Sequence, residues 1–375
     1  MSGVHGGNGK AVAKGPLVSK RVRDIFVTIN MAILSQIISV FGVVANIINI
    51  AVFMKQGFGE AMTVTLTGLA VADLGTVTCQ VWLSICWNPW FDFERLKLQF
   101  RPLHIEYLSA GHPRLSSVRV SAWILALATF ERCLCITIPF KVREIITPYR
   151  ARVFVIVVFA VNTACAVPFY YTSRIVQFFD SSANRSYLIL SFTDDRQQID
   201  SVFFAFSVSL TVISFVAVAL CTIVLVYSLD KASQWRESVK TSNETKEEFK
   251  KTNRSAAKKD HGKTTQLNKN KRAAKMVSLI STIFIVCSLP NTVNQLVMSM
   301  VPEYAKNGAY NNINQMFWSL GYMFETVNAS INIFMYYFMS TRYRTTIQEL
   351  FGACCFCMDG ADNVGKETEG NQTER

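Results

Sequence analysis

Charge is scarce in this 375-residue chain: Asp, Glu, Lys and Arg together make up 17% of it, against roughly 25% in a soluble domain. An ordinary cytoplasmic globule is excluded on that ground. Histidine is rarer still, and the four present, His5, His104, His112 and His261, have no metal-ligand spacing. No glycine-rich phosphate loop opens a helix and no nucleophile motif appears, so the chain is not expected to be an enzyme. Nothing in the first 24 residues combines a short apolar core with a small-residue cleavage site, so the first apolar stretch is expected to act as its own insertion signal.

What abounds is apolar surface, at 50% of residues, and it falls in runs near the ~20 residues a helix needs to cross about 30 Å of hydrocarbon. Six runs are strong: Ile25–Phe53, Thr63–Trp87, Val153–Tyr171, Val202–Tyr227, Met276–Met300 and Ile313–Phe338. A seventh, Leu115–Ile138, is weaker because His112, Pro113, Arg114 and Arg119 lie on its approach and outer part. The expected fold is all-α, an integral membrane bundle of seven helices. Its parts are an N-terminal tail over 1–24, the bundle over 25–340, a short amphipathic eighth helix over 341–352 and a polar tail over 353–375. Within the bundle, the connection 229–275 is rich in Lys, Asn, Thr and Ser and is expected to be mostly disordered.

Basic residues number 38 and acidic ones 26, and between Asp230 and Lys275 there are fourteen basic and six acidic residues. An excess so concentrated in one connection removes most of the support for nucleic-acid binding. With the amino terminus outside, the inner segments hold 24 of the 38 basic residues and the outer ones 14, which favours an extracellular N-terminus and a cytoplasmic C-terminus. The sequon at Asn184 then falls in an outer segment, where it can be glycosylated. Of the ten cysteines, only Cys86 lies near the outer face and no outer loop holds one, so no loop-to-loop disulfide is available. Tyr343, Ile347, Leu350 and Phe351 follow helical spacing suited to lying on a membrane, and Cys354, Cys355 and Cys357 just beyond are acylation candidates.

Polar side chains inside the apolar runs are costly and are candidate functional groups. Asn46, Asp73, Ser121, Asn328 and Asn332 could form one cluster, for which two readings stand open: a site for a small cation such as sodium, or hydrogen bonding between helices. Glu131-Arg132 at the inner end of span three could likewise be a snorkelling pair. Pro290 is expected to kink span six, and Pro113 to mark where the regular part of span three begins.

Taken together, Gly42 with Asn46, Leu69-Ala-Val-Ala-Asp73, Glu131-Arg132-Cys133 with Pro139-Phe140, Cys287-Ser-Leu-Pro290 and Asn332-x-x-x-Tyr336 resemble the helix motifs of rhodopsin-like (class A) G-protein-coupled receptors, over about Ile25–Phe351. The overall style is similar to invertebrate, especially molluscan, orphan receptors of candidate chemosensory or neuropeptide type. The resemblance implies a plasma-membrane receptor that catalyses nucleotide exchange on a heterotrimeric G protein. Glu131, Arg132, Phe140, Phe284, Pro290 and Tyr336 would carry coupling, and Asn46, Asp73, Ser121, Asn328 and Asn332 an interior sodium and water site, with no other cofactor. Departures are equally specific. Ser288 stands where the family has its tryptophan toggle, Ile333 where span seven has proline, and Tyr107 where span three has its disulfide cysteine.

The resemblance also bears on the ligand. Arg114 occupies the position of the amine receptors' aspartate, and Thr326 that of the opsins' Schiff-base lysine, so neither a biogenic amine nor retinal is expected. The pocket would be built from Arg114, Arg119, Ser288, Asn291, Gln295, Trp318, Tyr322 and Glu325. Arg114 would alternate between Glu325 and an anionic group of a small molecule or peptide, or stay paired throughout with Glu325 or with outer-loop acids such as Asp194 and Asp195. Arg119, about 140° around the helix and about 7.5 Å deeper, would reach toward the cavity or be held by groups such as Asn162. The expected partners are a G protein, an extracellular ligand and membrane lipids, without nucleic acid. A seven-span ligand-gated channel or transporter is the alternative, against which stands the lack of a repeat between the two halves.

Overall fold

The computed structural model describes residues 18–138, 141–182, 184–244, 257–304 and 308–364, some helix-end side chains excepted. Among them, seven long helices form a bundle: α1 Lys20–Gln56, α2 Ala61–Cys86, α3 Pro102–Thr137, α4 Pro148–Thr172, α5 Arg196–Glu244, α6 Ala257–Met300 and α7 Asn311–Met339, followed by α8 Thr341–Val364. Helix α3 packs on α2, α4, α5 and α6 and so runs through the centre, while α7 closes the ring against α1 and α6. The main core is aliphatic and lies where α2, α3, α5 and α6 converge, around Leu69, Ile124, Val218 and Val277.

The first six helices are each long and apolar enough to cross a membrane. Helix α7 is long enough at 29 residues but is diluted by Asn314, Ser319, Glu325, Thr326, Ser330 and Asn332, all of them buried. Its polar groups face the bundle, where partners offset the cost of removing them from water. The structure is thus a multi-pass membrane bundle with one polar wall.

Several boundaries differ from the sequence reading. Helix α3 as a whole begins at Pro102, with a π-helical stretch at Tyr107–Gly111, but its regular α-helical part begins at His112 with Pro113 in the first turn, as expected of that proline. Widening the helix there accommodates a residue that has no N–H to donate and whose ring would crowd the preceding turn. The connection expected to be disordered over 229–275 is helical at both ends, since α5 runs on to Glu244 and α6 starts at Ala257. Lys, Glu, Gln and Ala there are good helix formers, and both stretches are continuations already nucleated by the spans. Helix α8 likewise extends past residue 352 to Val364.

One element departs from the all-helical expectation. Between α4 and α5, β1 Ser173–Asp180 and β2 Arg185–Phe192 form an antiparallel hairpin, in register from Ser173 opposite Phe192 to Asp180 opposite Arg185. Its turn passes through exposed Asn184 at φ 45°, left-handed backbone that asparagine tolerates better than most residues. The hairpin is tied to the start of α3 by backbone and ring contacts. Leu188 N–H donates to Gln99 O (2.8 Å), Arg101 N–H to Leu188 O (3.3 Å) and Leu190 N–H to His104 Nδ1 (3.2 Å). Tyr107 packs against Phe169 and Phe192 and accepts from Arg196 (3.2 Å).

Candidate functional site

At the hairpin end, α3, α5, α6 and α7 enclose a cavity of about 280 Å³, near the lower end of the ~300–1,000 Å³ usual for small-ligand sites. Of the eight residues expected around a ligand, Arg114 alone is missing from its wall; Arg119, Ser288, Asn291, Gln295, Trp318, Tyr322 and Glu325 all line it.

Arg114 is fully buried between α3 and α7. Its Nη1 donates to Glu325 Oε2 (2.8 Å) and its Nη2 to the Tyr322 carbonyl (2.9 Å), while the guanidinium carbon sits 3.8 Å from the Tyr322 ring centroid. Asn291 of α6 donates to the other oxygen of Glu325. That contact requires close approach of α6 and α7, which Gly321 permits: a Cβ there would lie 2.8 Å from Asn291 Cβ and 3.1 Å from its Cα. The pair with Glu325 is the one that both sequence readings of Arg114 allow in the empty receptor, and in it Arg114 does not reach the cavity wall. Glu325 draws the long side chain away from the cavity and under the Tyr322 ring.

Arg119 points the other way. Its Nε donates to Asn162 Oδ1 of α4 at 3.3 Å, and Asn162 is held in turn by its Nδ2 on Val158 O (2.9 Å) and by Ser116 on its carbonyl (3.2 Å).

Toward the middle of the bundle, Asp73 accepts from Ser121 Oγ and Asn332 Nδ2, each at 2.8 Å. Asn328, Thr76 and Ser288 join Asp73 and Ser121 around a void of about 10 Å³, roughly the space of one water. Carboxylate, hydroxyl and amide oxygens make a donor set suited to a small hard cation. Asn46 stands apart from this group: it donates to Gly42 O (2.9 Å) and Ala329 O (2.8 Å) and bridges α1 to α7.

At the opposite end, Arg132 donates to Glu131 Oε1 at 2.5 Å, with both side chains under 10% exposed. Thr129 and Ser281 hydrogen-bond at 2.8 Å and join α3 to α6 near this level. Tyr336 is buried edge-on against Phe53, and among the described residues its hydroxyl has no partner. Tyr343 of α8, expected on the membrane face, is instead buried in the bundle, donating to Asn49 Oδ1 at 2.5 Å. Pro290 lies within α6 and Phe284 lines the cavity floor. Phe140, and the side chains of Cys354, Cys355 and Cys357, fall outside the described residues.

The model of the family described as serpentine type 7TM GPCR chemoreceptor Srw matches residues 33–354, from within α1 to beyond the end of α7. This chain belongs to that family. The receptor is also similar to the tachykinin-like peptides receptor 86C of Drosophila melanogaster, with 20% identity over 241 residues, covering 64% of this chain and 43% of the fly protein. It thus spans less than half the length of that curated relative.

Most of the receptor's cavity wall escaped the sequence reading, Tyr107, His112, Phe169 and Asp200 among it. Asp200 is occupied by Arg196 Nε (2.8 Å) and Thr172 Oγ1 (3.0 Å). The i, i+4 spacing of Arg196 and Asp200 was the available signal for that pair. The aromatic residues meet only because the π-helical start of α3 and the end of α4 are brought together, and no local pattern marks this.

Proposed function

We propose that this receptor binds its ligand in the 280 Å³ cavity and responds by rearranging α3, α6 and α7 at the Glu131–Arg132 end, where it promotes nucleotide exchange on a heterotrimeric G protein. The observation that carries this reading is continuity: Phe284, Ser288 and Glu325 line both the ligand-sized cavity and the Asp73 void. From there, Asp73 bonds Asn332, one turn before Tyr336 on the same helix. A ligand pressing on α6 and α7 therefore acts on side chains shared with the polar core. In this reading the receptor follows the class A scheme and the void takes a sodium ion. It lies in the plasma membrane, with the hairpin and N-terminus outside and α8 inside against lipid. The ligand is an anionic small molecule or a peptide, of chemosensory or neuropeptide type, and neither an amine nor retinal.

G-protein activation in cells, with and without a ligand panel, tests this directly. Wild type is expected to activate at least one G protein and Arg132→Ala to lose that activity at equal surface expression. Ligand-dependent current or uptake without G-protein activation would replace the receptor reading with a channel or transporter.

A further inference from the structure

Charge accounting around the cavity narrows the ligand further, and the argument rests on the receptor reading above. Three formally charged side chains line the wall: Glu325, Asp200 and Arg119. Each acid already has its own arginine, Arg114 for Glu325 and Arg196 for Asp200, both at 2.8 Å. Neither arginine is itself part of the wall. Glu325 is further satisfied by Asn291, and Asp200 by Thr172. The two acids are thus neutralised from behind and present a ligand cation with no net charge.

Arg119 has no such partner. Among the described residues its one hydrogen bond is the 3.3 Å contact from Nε to the neutral amide of Asn162, and it has no ion pair. Both terminal nitrogens remain to donate, and they belong to a side chain on the cavity wall. The guanidinium is half-buried, with its terminal nitrogens open to the cavity and a single neutral oxygen as partner, and a planar anion meeting those two nitrogens gains charge-assisted hydrogen bonds that no protein group competes for. The remaining wall includes Phe169, Phe203, Phe204, Phe215, Trp318 and Tyr322, which suits an apolar or aromatic body.

We infer that Arg119, and not Arg114, is the ligand's anchor, and that the ligand presents a single carboxylate on a compact apolar or aromatic body. The Arg114–Glu325–Asn291 group serves as a fixed, neutral side of the cavity. The carboxylate can belong to a free small acid or to the C-terminal residue of a peptide, since 280 Å³ accommodates either end group.

The test is ligand-induced thermal stabilisation of the full-length receptor in detergent, a readout independent of signalling, run beside G-protein activation in cells. The probes are phenylacetate, phenylbutyrate, indoleacetate and octanoate, the primary amide of each, and a short Phe-terminated peptide as free acid and as amide. Acids are expected to stabilise wild type and amides to fail. Arg119→Gln should weaken acid binding by about tenfold to a hundredfold, the loss of a charge-assisted pair. Arg119→Lys should keep the preference for acids at reduced affinity, which preserves the test if the Gln variant does not fold. Stabilisation by the small acids identifies a free acid as the source, and stabilisation by the free-acid peptide alone identifies a peptide terminus. Amides binding as well as acids, full acid affinity in Arg119→Gln, or no acid-selective stabilisation by any probe would overturn the anchor. Acid-selective binding without any G-protein activation would instead leave the anchor standing and remove the proposed coupling.

Discussion

Arg114 and Glu325 form an ion pair at 2.8 Å in which the arginine side chain is fully buried and the carboxylate 6% exposed. Such a pair adds little over two well-packed apolar groups, yet removing one member strands the other. Glu325→Gln is expected to lower stability by about 3–5 kcal/mol, read as reduced surface expression and an earlier thermal midpoint. Arg114→Met added to it should recover part of the loss. A Glu325→Gln receptor as stable as wild type would show that the pair is dispensable.

Asp200→Asn makes the comparison case. Its partner Arg196 and Asp200 itself are about one-third exposed, so water screens the pair. The expected cost is within about 1 kcal/mol, well below that of Glu325→Gln in the same thermal assay. Equal losses would contradict the difference in burial.

Gly321 predicts a steric effect at the same place. Gly321→Ala sets a methyl 2.8 Å from Asn291 Cβ and should force α6 and α7 apart at a cost of about 1–3 kcal/mol. Gly352→Ala, with nothing within 4 Å of the added carbon, should leave the thermal midpoint unchanged or raise it. Matching midpoints for the two variants would refute the close packing.

How much of this could be read from the chain differs by residue. The helices were legible because membrane burial requires long apolar runs, and Asp73, Ser121 and Asn332 because a polar group at that depth needs partners. For Arg114 and Arg119 the partners Glu325 and Asn162 were legible as alternatives, but not which of the two arginines lines the cavity. Helical geometry separates the two residues in angle, but a long flexible side chain ends where its counter-charge lies, and Glu325 is 211 residues away in sequence. The hairpin was illegible for a related reason: β1 has an almost wholly exposed pattern, so its pairing with β2 leaves no alternation to detect, and the contacts of Leu188 in β2 with Gln99 and Arg101 are set by distant backbone.

Tyr343 carries the pH prediction. Burial holds its hydroxyl above the ordinary tyrosine value of 10.0. The folded receptor therefore keeps this proton as pH climbs past about 10, where the unfolded chain releases it, and stability falls with rising pH. Tyr343→Phe loses the bond to Asn49 at neutral pH, worth about 1 kcal/mol, but also loses this alkaline decline. The gap between wild-type and variant thermal midpoints should narrow above about pH 10; parallel profiles would remove Tyr343 as the titrating group.

The sequon at the hairpin turn reports which side of the membrane it occupies. Wild-type receptor from eukaryotic cells is expected to shift in mobility on deglycosylation, and Asn184→Gln to abolish that shift. Sequons on the proposed inner side stand at Asn243, Asn253 and Asn371, and a shift that survives in Asn184→Gln but vanishes when those three are changed to Gln would invert the proposed orientation.

The hairpin above the cavity is laced to Gln99, Arg101 and His104 by hydrogen bonds, and the cysteines of the described spans, Cys79 and Cys86 among them, are free. A clasp without sulfur can come undone and re-form by thermal fluctuation alone. Reducing agents should leave this clasp untouched, and its lifetime is set by how often Leu188 and Gln99 let go of one another.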